Sequence, residues 1–248
     1  MNIDDIRDHF VDELEWHQET IDRGGNKTLE MVGASFIADD PCIFGTPNTE
    51  YIDAEIRWYL TQSTNVGTLA NIYGKTPVAW QATANLYGEI NSNYGHLIFA
   101  EKFHNQFKQC LNELKGNPFS RRAIMVYNRP SIWIEYNENS KNDFICTNAV
   151  SYYIRDNMLQ AVVQMRSNDC WAGYRNDYAW QMYVMELLKD NYNESTNSDI
   201  KIGNLHWQVQ NLHVYERNFY LVDHYSKTGE HHISKSDYIS TYPKSEYI

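Results

Sequence analysis

The segment NTEYIDAEIRWYL (48–60) puts a carboxylate where an apolar side chain belongs. Ile52, Ile56, Tyr59 and Leu60 recur at helical spacing. Glu55 stands three residues after Ile52 and four before Tyr59, so it shares their face. A glutamate taken out of water resists ionisation and suits proton transfer near neutral pH. The same placement suits a partner for a buried arginine. A second carboxylate, Asp177, stands at the first turn of a helix expected from about Arg175 to Lys189, with Trp180, Val184 and Leu187 on one side. There it can stabilise the helix dipole, or it can select a ligand.

The third reactive group is a thiol. NDFICTNAVSYYIR (142–155) and NMLQAVVQMRS (157–167) are both β-rich, and Asp156-Asn157 suits a two-residue turn. If Arg155 faces Met158, then Thr147 faces Arg166 and Cys146 faces Ser167, and opposed side chains share a face. Cys146 fits a small buried hydrophobe. With Arg166 beside it, the thiolate is favoured instead. Cys42, Cys110 and Cys170 have no such company. The anion candidates are Arg166, Arg121-Arg122, and Arg23 in the loop DRGGNKT (22–28). Singly each is a solvated charge; together with Ser167 they can hold a phosphate through planar guanidinium forks.

The elements that position these groups follow from pattern. EKFHNQFKQCLNELKG (101–116) reads as a helix with Phe103, Phe107, Leu111 and Leu114 as its stripe and Gly116 as its stop. After Pro118, RRAIMVY (121–127) reads as a buried strand. Segments 136–142, 191–201 and the polar tail from about Gly229 read as loops or a weakly packed end. None has the character of a linker, so the 248 residues are expected to form a single domain, 1–248. Hydrophobic content of 42% and 14% aromatics support a sizeable core. A net charge of −11 argues against long nucleic acids as partners. The four cysteines lack metal-site spacing, so no metal is expected, and reduced thiols in a cytoplasm are. The start MNIDDIRDHFVDELEW is acidic and amphipathic, unlike a signal peptide. No stretch approaches the roughly 20 apolar residues of a membrane helix.

Cys146, QMRSND (164–169), Gly173, a polar residue at 177 and LHVY (212–215) together resemble the thymidylate synthase family. SRRAIMVY, NYG at 93–95 and the AEIRWYL helix fit the same order, and the resemblance runs from about Arg23 to Tyr225. GASFIADD, GEINSNYG, RNDYAWQ and YLVDHYSKTGEHHISK resemble a bacteriophage branch acting on deoxycytidylate (dCMP). The resemblance implies an α+β fold, with a large mixed β-sheet flanked by helices and packed against the sheet of a second subunit. It implies Cys146 as nucleophile. Arg23, Arg166 and Ser167 would bind the substrate phosphate, joined by Arg121 and Arg122 from the partner of a homodimer. Glu55 would handle protons and water, and Tyr94 would line the site. His213 and Tyr215 would bind the deoxyribose hydroxyl. Trp80 and Asp169 would face the co-substrate, 5,10-methylenetetrahydrofolate. Two departures stand out. The family's usual Pro-Cys-His is Ile145-Cys146-Thr147 here, and the final PKSEYI does not match the family's closing segment.

At the position of Asp177 the synthases carry Asn. Uracil presents a donor at nitrogen 3 and an acceptor at oxygen 4, and an amide complements both. Cytosine presents an acceptor at nitrogen 3 and an amino donor at position 4; an ionised Asp welcomes the amino group, and a proton shared between Asp177 and nitrogen 3 would complete the pair and help activate the ring. Asp177 is therefore expected to select cytosine. The expected product is 5-hydroxymethyl-dCMP, formed by one-carbon transfer and addition of water. The rivals are a dCMP methylase, a dUMP-directed relative, and a non-catalytic nucleotide-binding subunit.

Overall fold

Asparagine side chains begin much of the secondary structure. Asn2, Asn48, Asn65, Asn93 and Asn105 each cap a helix by accepting a bond from a backbone N–H one turn in. The computed structural model describes residues 1–247. In chain order it contains α1 (Ile3–Glu15), β1 (Thr20–Ile21), β2 (Lys27–Ile37), α2 (Thr49–Thr61), α3 (Val66–Tyr73), α4 (Val78–Thr83) and α5 (Tyr94–Phe99). Then come α6 (Gln106–Gly116), β3 (Ile124–Val126), α7 (Ile132–Glu135), β4 (Thr147–Arg155), β5 (Met158–Met165) and β6 (Asn168–Asp169). The chain finishes with α8 (Gly173–Thr196), β7 (Lys201–Tyr215), α9 (Phe219–Thr228) and α10 (Lys235–Thr241). Two compact units share them: residues 1–47, 165–179 and from 205 onward form one, and 48–164 with 180–204 the other.

In the first unit, α1 buries Ile3, Ile6, Phe10 and Leu14, as its amphipathic sequence requires. β2 pairs antiparallel with β1 and with β7, from Thr28 opposite Tyr215 to Ile37 opposite His206. β6 runs parallel to β7, Asn168 beside Leu212 and Asp169 beside His213, so this sheet is mixed. The tail is less loose than its composition suggests. Tyr238 in α10 has no exposed surface, and its hydroxyl donates to Asp223.

In the second unit, α2 and α5 approach so closely that a Cβ on Gly95 would lie 1.9 Å from the Tyr59 carbonyl oxygen. That approach explains the glycine of NYG. The buried face of α2 is Ala54, Glu55, Trp58 and Tyr59, rotated from the expected stripe: Leu60 is 40% exposed, because two large aromatic rings claim the interior. The 101–116 helix is broken at His104 and Asn105, both at positive φ, and α6 buries Phe107, Cys110 and Leu114. β3 is not a buried strand. Met125 is buried, but Ile124 and Val126 are 42% and 46% exposed, which is the alternation of a strand with one open face. Asp156 and Asn157 both take positive φ, +52° and +59°, as the expected two-residue turn needs. Helix α8 starts earlier and ends later than its pattern indicated, taking in much of the segment 191–201 read as a loop. Among the described residues no helix is long and apolar enough to cross a membrane.

Candidate active site

Glu55 is 6% exposed, in the second unit. The Tyr51 hydroxyl, one turn earlier on α2, donates to its Oε1 at 2.5 Å. The Trp80 indole N–H reaches both the Tyr51 oxygen (2.8 Å) and Glu55 Oε1 (3.2 Å). Trp58 stands edge-on to Trp80, at 5.1 Å between centroids. Burial in this aromatic wall pushes the Glu55 carboxyl up to about 7, although Tyr51, Trp80 and Tyr59 each pull it down by hydrogen bonding. Glu55 is therefore poised between its two protonation states at neutral pH. The arginine-partner reading fails among the described residues, since no ion pair involves Glu55.

Tyr94 follows through the same wall. Its ring lies 5.4 Å from Tyr59 and 5.2 Å from Tyr127. The Tyr127 N–H donates to the Asn148 carbonyl, two residues past Cys146. Cys146 directly precedes β4, with Sγ 3.8 Å from the Phe144 carbonyl oxygen. It is the one cysteine of the four that is not fully buried. Burial pushes the Cys42 thiol up to about 11, that of Cys110 to about 12, and raises that of Cys170, which makes them inert. The segment leading to Cys146 is pinned by Asp143, a residue the sequence did not single out. Its carboxylate accepts from the Asn91 N–H (2.6 Å), the Ser92 N–H (2.7 Å) and the Ser92 hydroxyl (2.6 Å). The signal was the pairing of GEINSNYG with NDFIC, which no local pattern reveals.

Arg121 and Arg122 are exposed just before β3. Arg122 pairs with Glu113 of its own chain at 3.0 Å.

The first unit holds the remaining candidates. Asp177 is not in the first turn of α8; four helical residues precede it. The helix-dipole role therefore gives way to another. Its Oδ2 accepts from Asn168 Nδ2 at 2.8 Å. Asp169 caps the turn that leads into α8, its two oxygens accepting from the Trp171 N–H (3.1 Å) and the Ala172 N–H (3.0 Å). Arg166 and Ser167, both half-buried, lead directly into β6. His213, next to Asp169 in the ladder, is 8% exposed and edge-on to Tyr215 at 5.0 Å. Asn211 donates its amide N–H to Glu30, so its oxygen faces His213 Nδ1 at 3.2 Å. In the neutral ring Nδ1 then carries the proton and Nε2 accepts, which suits a sugar hydroxyl. Arg23 is exposed at the tip of the β1–β2 hairpin, five residues before Thr28, which pairs with Tyr215. In the first unit Asp169, His213 and Tyr215 lie together at the end of β7, Ser167 directly precedes β6, and Arg23 sits on the hairpin whose β2 pairs with β7. The second gathers Glu55, Trp80 and Tyr94. Among the described residues no three His, Cys, Asp or Glu side chains converge as a metal set.

A mixed sheet flanked by helices, with a half-buried thiol and a buried glutamate, is the setting of a known family. The family model for thymidylate synthase matches residues 14–237, and the chain belongs to that family. It is 49% identical to deoxycytidylate 5-hydroxymethyltransferase of Enterobacteria phage T4 over 243 residues, covering 98% of each chain. The phage T2 protein of the same name is 49% identical over 239 residues, 96% of each. Thymidylate synthase of Fusobacterium nucleatum is 28% identical, over 66% of this chain and 56% of its own. The crystal structure of phage T4 thymidylate synthase superposes with a TM-score of 0.65 at 21% identity, covering 85% of this chain and 76% of that one. The chain therefore has the thymidylate synthase fold.

Proposed function

We propose that the protein transfers a one-carbon unit from 5,10-methylenetetrahydrofolate to carbon 5 of dCMP and adds water, giving 5-hydroxymethyl-dCMP and tetrahydrofolate. The near-full-length similarity to phage deoxycytidylate 5-hydroxymethyltransferases supports the reaction. The observation that carries the choice of base is Asp177, a carboxylate held by an amide N–H. A carboxylate meets the amino group of cytosine favourably and the oxygen of uracil unfavourably, and a proton shared with nitrogen 3 of cytosine completes the pair.

The Cys146 thiolate adds to carbon 6 of dCMP, and carbon 5 becomes nucleophilic. Carbon 5 takes the one-carbon unit, loses its proton, and is left with an exocyclic methylene as tetrahydrofolate departs. Water then adds to the methylene carbon. Glu55, poised near neutrality, takes the proton of that water. The electron pair returns to the ring and expels the Cys146 thiolate. Arg23, Arg166 and Ser167 bind the phosphate, and His213 and Tyr215 the deoxyribose hydroxyl. Trp80 suits the folate: its N–H turns toward Tyr51 and Glu55, and its half-exposed ring offers a flat apolar surface to a pterin. Asp169 keeps lone pairs for pterin N–H donors beyond its two capping bonds. The chain acts as one catalytic domain and as a homodimer, Arg121 and Arg122 reaching the partner's phosphate, in the cytoplasm of a phage-infected host.

The test is to incubate the protein with the folate and either dCMP or dUMP and weigh the nucleotide products. A dCMP product heavier by one CH₂O unit is expected. A gain of CH₂ alone would mean reduction, turnover of dUMP alone would overturn the role of Asp177, and no product from either would leave a binding subunit.

A further inference from the structure

Asp177 does not set its own orientation. Asn168, 3% exposed on β6, bridges two groups of fixed polarity. Its Oδ1 accepts from the Trp207 indole N–H at 3.2 Å, and its Nδ2 donates to Asp177 Oδ2 at 2.8 Å. An indole nitrogen only donates and a carboxylate only accepts. Flipping the amide would set N–H against N–H and oxygen against carboxylate, so one orientation survives. Trp207 has no exposed surface and is anchored in β7, the strand that β6 pairs with. Space for the bridge comes from Gly173, where a Cβ would lie 3.0 Å from Asn168 Nδ2.

We infer that Asn168, fixed by Trp207, is a positioning residue for base selection: its N–H donor aims Asp177 at the base. This rests on the reading of Asp177 as cytosine selector. The amide takes one of the roughly four lone-pair sites of a carboxylate and fixes where the others point. It also stops the carboxyl rotating about its last torsion, a broad and nearly two-fold well when nothing holds it. Without the bridge, Asp177 loses the donor that holds this oxygen, and its lone pairs are aimed less well at the cytosine amino group. Discrimination falls before binding does.

The test measures equilibrium binding of dCMP and dUMP to the full-length protein, with thermal melting as a check on folding. Asn168→Leu keeps the volume and removes both bonds. It is expected to cut the dCMP-to-dUMP preference about tenfold, the scale of one charge-assisted bond. Trp207→Phe, which removes only the indole donor, is expected to move the ratio the same way by about threefold. In an Asp177→Asn background, Asn168→Leu is expected to leave the ratio within about twofold, since the group it acts through is gone. A folded Asn168→Leu protein with the wild-type preference, or one with the same loss in both backgrounds, would overturn the inference. If Asn168→Leu does not fold, an unchanged ratio in Trp207→Phe overturns it. A wild-type protein with no preference for dCMP removes the selector reading itself, and that outcome is visible before any variant is made.

Discussion

Glu55 and Asp177 are both carboxylates held by N–H or O–H donors, yet their surroundings make them different reagents. Glu55 accepts from a phenol and an indole inside an aromatic wall. Three hydrogen-bond donors pull its pKa down, and burial outweighs all of them, leaving it at about 7. Asp177 is half-buried and accepts from a primary amide that is itself locked by an indole. The lesson concerns magnitude. Donors alone do not decide whether a carboxylate stays ionised; the loss of water around it can exceed their sum. One site suits a group that must both hold and release a proton. The other suits a group whose orientation is set by a fixed donor.

The largest test of this contrast is Glu55→Gln. Turnover with dCMP is expected to fall by about 10² to 10⁴ while dCMP binding is kept, as for loss of an acid–base group. The same variant should change how stability depends on pH. The folded pKa, about 7, lies above the ordinary 4.5, so the contribution of Glu55 is fully present below 4.5 and is lost as pH rises through 7. Denaturant melts of wild type and Glu55→Gln from about pH 4 to 8 should diverge by about 3 kcal/mol, the wild type losing ground as pH rises. Parallel curves would mean that Glu55 ionises as an exposed glutamate does.

A smaller effect is expected for Tyr51→Phe. The phenol lowers the Glu55 pKa, so its removal should raise that pKa further and shift the acidic limb of the kcat profile to higher pH. Turnover at neutral pH should fall about tenfold. An unmoved limb would show that Tyr51 does not act through Glu55. The smallest effect belongs to the other carboxylate. Gly173→Ala crowds Asn168 Nδ2 and should reduce the dCMP preference by about threefold without lowering the melting temperature sharply, which competitive binding would reveal.

What could be read from sequence divides along the same line. The burial of Glu55 was visible, because a carboxylate three and four residues from apolar neighbours must share their helix face. The turn at Asp156-Asn157 was visible too, since residue type dictates its backbone. The rotation of the α2 face was not, because Trp58 and Tyr59 win the interior through contacts with Trp80, Tyr94 and Trp180. The length of β3 and its open face escaped as well: an apolar run cannot say which side meets water. Asn168 and Asp143 were passed over because their partners, Trp207 and Asn91-Ser92, lie far away in sequence. Asp177 stood out as a carboxylate near a helix start and acquired its selector role through resemblance, but its expected place in a first helical turn was displaced by a helix that begins at Gly173.

The most direct measurement of the central claim is kcat/KM for dCMP and for dUMP with wild type and Asp177→Asn. The wild type should prefer dCMP, and the variant should lose that preference by about a thousandfold and turn toward dUMP, because the amide restores the donor that uracil requires. An Asp177→Asn enzyme that stays folded and keeps the wild-type preference for dCMP would contradict the account.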